Sequence, residues 1–518
     1  MIGQTGSAIR QADFCPLMLV GFQIAMDKGP AVSVQTISYG TAPGTMALVD
    51  GSIEFASGGR AIDNASAAKT IYLRNIFVKG ESELIKSGSQ AAVVGSGEWA
   101  RIAEYAYTDQ TTPAGKPPYA DGDKKFRTFS MVEGVVSRTP EPVRLIESDA
   151  SAPPGSLVSR HLWRALPSYE GQADGTVIAT SAPYNAKPDD LLDDRAAIQA
   201  AIDAASAAGH GRVFLPKGQY QIGGPLVLRA NTKLFGVGRD ITEIAWHSSW
   251  QPTSGIVYML ETENDASADT TLAFLTITMR TQGGGTNAYG AFNYDRFGAI
   301  HWRAGRRSII AAIKIAKEYA GTTMTKTNPR NVVLFTDSAG GKHYSLLQHS
   351  PLALGANPDF RVVKIDGTTA PLAFYGLNVE CTKNGLTPCD ANIELIGAQN
   401  VRIYGTKREG DGPTAIVRDS RNVGYFGHGR QVSNTPSGSG GMLQVLGSSE
   451  NITIAPVIPD STGSVPNGEP LVREHLSGGS VNEIIYPDCL SIYKRGELDD
   501  SMFGPSPDAS VTTGKAYM

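Results

Sequence analysis

Long apolar runs are missing from this 518-residue sequence, and so is any marked excess of charge. No stretch is apolar over the length that a membrane-spanning helix needs, which argues against integral insertion. Forty-six basic and fifty acidic residues give a net charge of −4, so charge supplies no reason to expect nucleic acid as a partner. Hydrophobic residues make up 41% of the chain, which excludes general disorder. We therefore expect a folded protein whose partner is uncharged.

Cysteine is scarce, because four residues in this length cannot form a disulfide framework. Cys381 and Cys389 flank a turn-like Lys-Asn-Gly, so they either close a loop as a disulfide or remain two reduced thiols. The sequence has no His-Glu-x-x-His motif and no paired-cysteine motif, and its histidines are scattered. We predict no metal and no organic cofactor.

Helical periodicity is also scarce, and residues 193–208 are its clearest instance. Apolar residues recur there at i, i+3, i+4, i+7 and i+8, and Asp193 and Asp194 stand where an N-cap and a first-turn acid belong. The 58 glycines and 30 prolines are typical of many short strands joined by tight turns. Because the length exceeds what one core usually supports, we expect several domains or an elongated repeat.

Short β-type runs recur at intervals of roughly 20 to 30 residues, which is the spacing of solenoid coils. Three of these runs place an asparagine before an alternating apolar strand, at Asn400, Asn422 and Asn451. In a parallel β-helix, stacked asparagines can bond the coils above and below through their amides. The sequence therefore predicts an all-β fold, a right-handed parallel β-helix whose first coil is closed by the helix at 194–208.

The first 150 residues contain strand-like runs of the same spacing. The stretch from Phe14 to Met26 is the only candidate signal-peptide core, but it lacks a basic leader and a small-residue cleavage site, so we interpret it as a buried strand. A region rich in Pro, Ser and Ala at 148–156 marks a boundary. We predict two β-helical units side by side: a short or truncated N-terminal unit at 1–150, a connector at 151–180, a second β-helix at 181–490 and a tail at 491–518.

Residues 184–220 resemble the opening cap of pectate-lyase-superfamily β-helices. The resemblance is carried by Tyr184-Asn185-Ala186-Lys187, by Asp193-Asp194-Arg195 leading into Ala197-Ile198-Gln199, and by Gly209 to Pro216. Lyases, hydrolases, epimerases and phage tailspikes share this cap, so it implies the fold and not the chemistry. A cap that follows a first β-helical region is similar to glycoside hydrolase family 55, the exo-acting β-1,3-glucanases. That resemblance implies a secreted hydrolase with an inverting mechanism.

The same resemblance implies the catalytic residues. In the family a coil at a comparable place ends in Thr-Glu, and its glutamate is the general acid. Residues 406–409 read Thr-Lys-Arg-Glu here, so Glu409 is the implied acid, although Arg408 stands where threonine is expected. Glu380 is the second candidate carboxylate. The alternatives are a surface salt-bridge role for Glu409 and a turn-capping role for Glu380.

An aromatic and glycine-rich stretch at 283–298 suits a sugar-binding rim, since aromatic faces stack on pyranose rings. We predict substrate contacts from Tyr294 and Asp295 in this stretch, and from His301 and Trp302 just after it; Trp302 could equally be a core residue. His428 and Arg430 are predicted to bind or polarise a substrate hydroxyl, with a solvated turn as the alternative.

Three functions remain open for this sequence. The first is a glycoside hydrolase acting on β-1,3-glucan. The second is a polysaccharide lyase or epimerase, which would need basic residues for uronate binding, such as Lys407, Arg408 and Arg430. The third is a non-catalytic carbohydrate-binding or tailspike-like protein. In all three the partner is a polysaccharide.

Overall fold

The computed structural model describes residues 6–11, 16–34, 45–65, 70–108, 128–162, 175–209, 211–278, 296–316, 331–349, 359–381, 391–410, 414–431, 442–457, 470–485 and 489–504. Within these ranges, no helix is both long and apolar enough to cross a membrane.

Strands dominate the first 150 residues. They are β1 (Ile9–Gln11), β2 (Leu17–Met26), β3 (Pro30–Val34), β4 (Thr45–Phe55), β5 (Arg60–Asn64), β6 (Thr70–Lys79), β7 (Glu83–Ser87), β8 (Val93–Val94), β9 (Ala100–Tyr107), β10 (Thr128–Val132), β11 (Val135–Ser137) and β12 (Val143–Glu147).

Two helices and the remaining strands follow. They are α1 (Ser156–Ser159), β13 (Val177–Ile178), α2 (Arg195–Ala207), β14 (Arg212–Phe214), β15 (Gly218–Ile222), β16 (Leu226–Leu228), β17 (Lys233–Phe235), β18 (Thr242–Trp246), β19 (Val257–Thr262), β20 (Thr271–Thr278), β21 (Phe297–Trp302), β22 (Ile309–Ala316), β23 (Asn331–Thr336), β24 (Gly341–His349), β25 (Arg361–Asp366), β26 (Leu372–Tyr375), β27 (Asn378–Cys381), β28 (Ile393–Ile396), β29 (Gln399–Tyr404), β30 (Lys407–Gly410), β31 (Ala415–Arg418), β32 (Arg421–Gln431), β33 (Leu443–Gly447), β34 (Glu450–Val457), β35 (Pro470–Leu476), β36 (Val481–Ile485) and β37 (Cys489–Arg495).

The strands β1 to β9 and β12 form a first unit with two sheets. Alternate strands go to alternate sheets, in the orders β1-β3-β5-β7-β8 and β12-β9-β6-β4-β2. Pairing is parallel from β2 through β4 to β6 and turns antiparallel at β9 and β12. Parallel pairing between successive coils is the pattern of a β-helix. The stretch from Phe14 to Met26, interpreted above as a strand, contains β2.

The strands β13 to β37, together with β10 and β11, form a second unit whose coils stack residue over residue. The strand β22, for example, pairs in parallel with β24 from Ile309 opposite Lys342 to Ala316 opposite His349. One of its sheets has ten strands in the order β16-β19-β21-β23-β25-β28-β31-β33-β35-β36. Inward side chains such as Ile310 and Ile313 have no exposed surface and build one continuous core. The prediction of an all-β parallel β-helix is confirmed.

The helix α2 closes the first coil of the second unit. Its apolar face, with Ile198, Ala201 and Ile202, is buried in the same core. Asp194 is the N-cap residue, but its carboxylate accepts the backbone N–H of Lys187 at 2.6 Å and does not bond the helix itself. The predicted cap helix is therefore confirmed. Asp194 ties the preceding loop to the helix start, whereas Asp193 accepts the backbone N–H groups of Arg195, the first residue of α2, and of Gly223 in the next coil.

The three strand-leading asparagines all adopt left-handed backbone conformation, with φ of 57° at Asn400, 57° at Asn422 and 54° at Asn451. Asn tolerates this region better than most residues do. The Nδ2 of Asn422 donates to the Oδ1 of Asn400 at 2.7 Å, which forms one rung of the predicted ladder between coils. Asn422 also accepts from the guanidinium of Arg402 and bonds the backbone of Asp499.

Apolar side chains join the two units. Tyr72 and Ala47 of the first unit pack with Tyr404 and Phe426 of the second in one buried cluster. The rings of Tyr72 and Phe426 are stacked with centroids 5.5 Å apart. In addition, β10 pairs in parallel with β37, so a strand from the first 150 residues extends the sheet of the second unit.

Buried charges also cross this interface. Asp500 binds Arg74 of the first unit at 2.7 Å and Arg402 of the second at 2.8 Å. Burial alone would raise the pKa of Asp500, but the two guanidinium groups outweigh it and hold the pKa well below its usual value. Lys494 binds Glu104 at 2.5 Å in the same layer. The C-terminal segment 496–504 thus holds the two units together.

The asparagine ladder can be tested with Asn422→Ala and Asn451→Ala. Both changes place alanine in a left-handed conformation, at about 1 kcal/mol. Only Asn422→Ala also removes side-chain hydrogen bonds to Asn400, to Arg402 and to the backbone of Asp499, so its cost should reach roughly 3 kcal/mol. Denaturant unfolding midpoints would compare the two variants. Equal losses of stability in the two variants would show that the hydrogen bonds of Asn422 do not stabilise the fold beyond the effect of backbone conformation.

The ionic link between the units can be tested with Asp500→Ala. Removing one partner of a buried ion pair costs roughly 3 to 5 kcal/mol, because Arg402 is left buried without its carboxylate. Asp499→Ala is the matched control, since that side chain is exposed and its carboxylate bonds the neighbouring Ser501; its cost should stay below about 1 kcal/mol. Thermal unfolding of both variants would measure these losses of stability. A small loss in Asp500→Ala would contradict its role in bridging the two units.

Candidate functional site

A row of side chains runs along the outer face of the second unit because its coils stack in register. Strand pairing places one residue of each coil over the next, in the order Phe214, Phe235, Ala273, Ala311, Tyr344, Tyr375, Tyr404 and Phe426. Paired parallel strands lie about 4.8 Å apart, which is close to the stacking distance of aromatic rings. The centroids of Tyr344 and Tyr375 are 4.7 Å apart and those of Tyr375 and Tyr404 5.1 Å apart. The register therefore fixes the tyrosine rings rigidly.

The segment that follows α1 lies across this row. His161 contacts Tyr375 and Tyr404 edge-on, with ring centroids 5.8 and 5.5 Å apart. The hydroxyl of Tyr344 donates to the carbonyl oxygen of His161 at 2.8 Å. On its other side His161 contacts Gly21, where an added Cβ would come within 3.0 Å of the imidazole. The imidazole is thereby held between the two units.

The first unit supplies the acidic partner of His161. Gly21, Asp50 and Asn75 occupy matching left-handed positions in β2, β4 and β6, where the strand pairing skips each of them without a change of register. Asp50 Oδ2 lies 2.6 Å from Nε2 of His161, and Asp50 Oδ1 accepts from Arg160 at 2.9 Å and from Asn75 at 2.6 Å. The left-handed conformation of Asp50 thus directs its carboxylate to His161.

Asp50, His161 and Tyr375 form a chain of hydrogen bonds across the interface. Nδ1 of His161 lies 3.0 Å from the hydroxyl of Tyr375. Because Asp50 is paired with Arg160, it acts as an acceptor, so Nε2 of His161 carries the proton and Nδ1 accepts from Tyr375. Burial lowers the pKa of His161, against the opposing effect of Asp50. Burial also raises the pKa of Tyr375 well above its usual value, so both groups are neutral in the resting site.

These three residues line a pocket of about 100 Å³ between the units, which we call the inter-unit cleft. The C-terminal segment forms part of its wall with Asp500, Met502 and Phe503. Four cationic side chains also line it: Arg160, Arg306, Arg307 and Lys342. Its carboxylates are Asp50 and Asp500, and each is ion-paired with arginine. The lining therefore carries an excess of positive charge.

The two predicted catalytic carboxylates occupy equivalent positions in adjacent coils. Glu380 in β27 pairs with Glu409 in β30, and Glu409 pairs with Gln431 in β32. The description covers the backbone of these residues and not their side chains. Their catalytic roles therefore stay a prediction.

Two of the predicted substrate-binding residues are core residues. Trp302 has no exposed surface and packs on His343 with ring centroids 5.7 Å apart, so it cannot stack on a sugar from solvent, and the core alternative is correct. His428 is buried next to Tyr425, whose hydroxyl lies 3.0 Å from its Nδ1. Neither a substrate contact nor a solvated turn describes His428, because its strand position is aligned with the core residue Val457.

His301 is half-buried in the ten-stranded sheet, where its Nε2 lies 2.8 Å from the hydroxyl of Thr336. Burial lowers the pKa of His301 to about 4, so it is neutral at physiological pH. It does not line the inter-unit cleft. Tyr294 and Asp295, the side chain of Arg430 and the pair Cys381 and Cys389 lie outside the described residues or side chains. Within the described residues, no group of three or more His, Cys, Asp or Glu is placed to hold a metal ion.

The residues of the cleft were missed from the sequence, although one signal for them exists. Tyr375, Tyr404 and Phe426 are each followed by glycine, and they recur with the same spacing as the coils. This repeated aromatic-Gly pair marks the outer row of the sheet. Asp50, His161 and the basic residues have no comparable repeat, because each comes from a different part of the chain.

Comparison with known proteins supports the cap motif. Residues 182–352 match the family model "Rhamnogalacturonase A/epimerase, pectate lyase-like". This match agrees with the resemblance of residues 184–220 to pectate-lyase-superfamily caps.

Individual relatives match over short segments. Mannuronan C5-epimerase AlgE2 of Azotobacter vinelandii is 42% identical over 100 residues, and alginate lyase 7 of the same organism is 39% identical over 82 residues. These segments are 17% and 14% of this chain, and the chain spans only a tenth of the length of each relative.

Among solved structures, sacteLam55A from Streptomyces sp. SirexAA-E aligns with 90% of this chain and 80% of its own, at 12% identity and a TM-score of 0.38. Such a distant likeness carries no functional argument. Together, the family match and the stacked coils show that residues 182–352 are similar to the pectate-lyase-like family and lie within a parallel β-helix fold.

Proposed function

We propose that the protein is an enzyme that modifies an acidic polysaccharide in the inter-unit cleft. The observation that carries this proposal is the charge of the lining, where the four basic side chains Arg160, Arg306, Arg307 and Lys342 outnumber the two carboxylates Asp50 and Asp500. A volume of about 100 Å³ holds roughly three water molecules. A carboxylate substituent fits such a space, with the sugar ring at its mouth.

The curated relatives support the same substrate class. Their names refer to mannuronan and alginate, which are polymers of uronic acids. The similarity of the shared segments supports the proposal. Of the three functions that the sequence left open, the lyase or epimerase therefore takes first place.

The chemistry that suits these residues begins with removal of the proton on the carbon next to the sugar carboxylate. Cations close to that carboxylate stabilise the negative charge that develops on it. Elimination of the glycosidic oxygen then yields an unsaturated sugar, and return of the proton to the opposite face yields an epimer. Neither outcome needs a protonated carboxyl group from the protein.

Hydrolysis of β-1,3-glucan by an inverting mechanism is the second candidate, and it is suggested by Glu409 in β30, which stands where the resembling hydrolase family carries its general acid. An inverting pair keeps its carboxyl groups roughly 6.5 to 9.5 Å apart, whereas paired parallel strands are only about 4.8 Å apart. In this candidate Glu409 therefore acts as the general acid, Glu380 is its substitute if that assignment fails, and the water-activating base lies elsewhere.

A polysaccharide panel separates the two candidates. We expect alginate or pectin to give an absorbance near 235 nm, or an epimerised product detected by NMR. Laminarin should give no reducing sugar. Reducing sugar from laminarin without the 235 nm absorbance would instead establish the hydrolase, and absence of activity on every polymer would favour a binding protein.

The cationic lining can be tested with the double change Arg306→Gln and Arg307→Gln. Loss of charged contacts to a substrate carboxylate should lower kcat/KM on the acidic polymer by roughly 10- to 100-fold. Arg421→Gln removes one charge from an exposed ion pair with Glu450 and is the control for net charge. Initial rates at two salt concentrations provide the readout. An unchanged rate would move the substrate site away from these arginines.

The second candidate has its own test in Glu409→Gln. Removal of a general acid should lower turnover of laminari-oligosaccharides by roughly 10²- to 10⁴-fold. Glu450→Gln is the matched control, because Glu450 belongs to an exposed surface pair. Wild-type turnover in Glu409→Gln, in an enzyme that does cleave laminarin, would transfer the role to Glu380.

A further inference from the structure

We propose that Tyr375 exchanges a proton with the substrate and that Asp50 positions it through His161, so that the active site is complete only when both units are docked. This inference rests on the proposed function and adds a catalytic residue and a positioning residue to it. The three side chains come from β4, the segment after α1 and β26, and all three line the inter-unit cleft.

The direction of the hydrogen bonds supports this assignment. Asp50 accepts hydrogen bonds from Arg160 and Asn75, and it also accepts a hydrogen bond from the Nε2–H group of His161. Nδ1 is then an acceptor, and the hydroxyl of Tyr375 donates to it at 3.0 Å. The proton of Tyr375 therefore points to His161, and the remaining lone pairs of its oxygen are available to a substrate proton.

The surroundings keep the relay in this state. Tyr344 and Tyr404 stack on both faces of Tyr375 and fix its ring. The charged groups that face His161 are Asp50, Arg160 and Lys342, and those that face Tyr375 are Asp50 and Arg160. Burial is the main cause that lowers the pKa of His161, and the two cations add to it against the effect of Asp50, so the imidazole is neutral and can receive a proton during the reaction.

The proton-transfer step can be written with every atom accounted for. The proton on the carbon next to the sugar carboxylate moves to the hydroxyl oxygen of Tyr375, while the proton of Tyr375 moves to Nδ1 of His161. The electron pair of the broken C–H bond enters the carboxylate as an enolate, beside the cationic lining, and the imidazolium faces Asp50. When the enolate collapses and the glycosidic C–O bond breaks, the relay returns the proton to the departing oxygen. No redox partner is needed.

The arrangement also explains features that packing alone does not require. The left-handed position of Asp50 places a carboxylate in the interface beside His161, and Gly21 leaves the space that His161 needs. A purely structural link would need only the ion pair between Asp50 and Arg160. The additional histidine and tyrosine extend this pair to the wall of the cleft.

The test uses the full-length chain with alginate oligosaccharides and pectin oligosaccharides as substrates. We expect Tyr375→Phe to lower kcat by roughly 10²- to 10⁴-fold with little change in KM, since only a hydroxyl is lost. Tyr258→Phe removes a buried hydroxyl from the ten-stranded sheet and should leave kcat unchanged. Thermal unfolding of each variant shows that it is folded.

Asp50 is tested by its effect on the pH profile. Asp50 raises the pKa of His161, so Asp50→Asn should lower that pKa and move the acid limb of kcat to lower pH, together with a roughly 10- to 100-fold loss of kcat. Asp50→Glu keeps the negative charge and should partly restore both kcat and the position of its acid limb. A merely structural aspartate would change unfolding but not the acid limb.

The possible results separate the proton relay from the proposed function. If the wild type is active and Tyr375→Phe keeps its kcat, the relay is overturned while the proposed function stands. If Asp50→Asn leaves the acid limb in place, the positioning role is overturned. If the wild type acts on neither acidic substrate, the proposed function fails and the relay falls with it.

Discussion

The stacking of coils in register is the constraint on which the rest of this molecule depends. Because each strand pairs in parallel with the next, a residue type that recurs once per coil becomes a continuous row in space. Inward rows give the isoleucine-rich core, left-handed turn positions give the contact between Asn422 and Asn400, and one outward row gives the aromatic stack from Tyr344 to Phe426. A single pairing rule thus produces the core, the turns and the outer face.

Docking of the two units depends on a second principle, the cost of burying charge. The interface is mostly apolar, yet it contains Asp500, Arg402, Glu104 and Lys494, each of which has a partner of opposite charge. Charges in such a layer are tolerated only in matched sets, because an unpaired one loses its hydration without compensation. The C-terminal segment provides Asp500 and also part of the cleft wall, so the attachment of the units and the shape of the cleft are coupled.

The cleft differs in character from the rest of the surface. The chain as a whole is close to neutral, with a net charge of −4, whereas the cleft lining gathers four basic side chains around two ion-paired carboxylates. The expectation of an uncharged partner came from the global balance and does not describe this local field. A site that neutralises a sugar carboxylate needs only a few cations within a Debye length, and overall composition does not report them.

The architecture could be predicted from the amino-acid sequence because its signals are local and repeated. The cap motif, the helix near Asp194 and the asparagine-led strands each occupy a short stretch, and the coil spacing repeats them. The candidate site could not be predicted, because Asp50, His161, Lys342, Tyr375 and Asp500 are separated by long distances in the chain. Residues that did look functional were misleading where strand alternation turned them inward, as with Trp302, which follows His301 on the opposite face of β21. Periodicity along the chain determined the fold, whereas only the docking of two units decided which side chains meet, since no local pattern records which surfaces face each other across an interface.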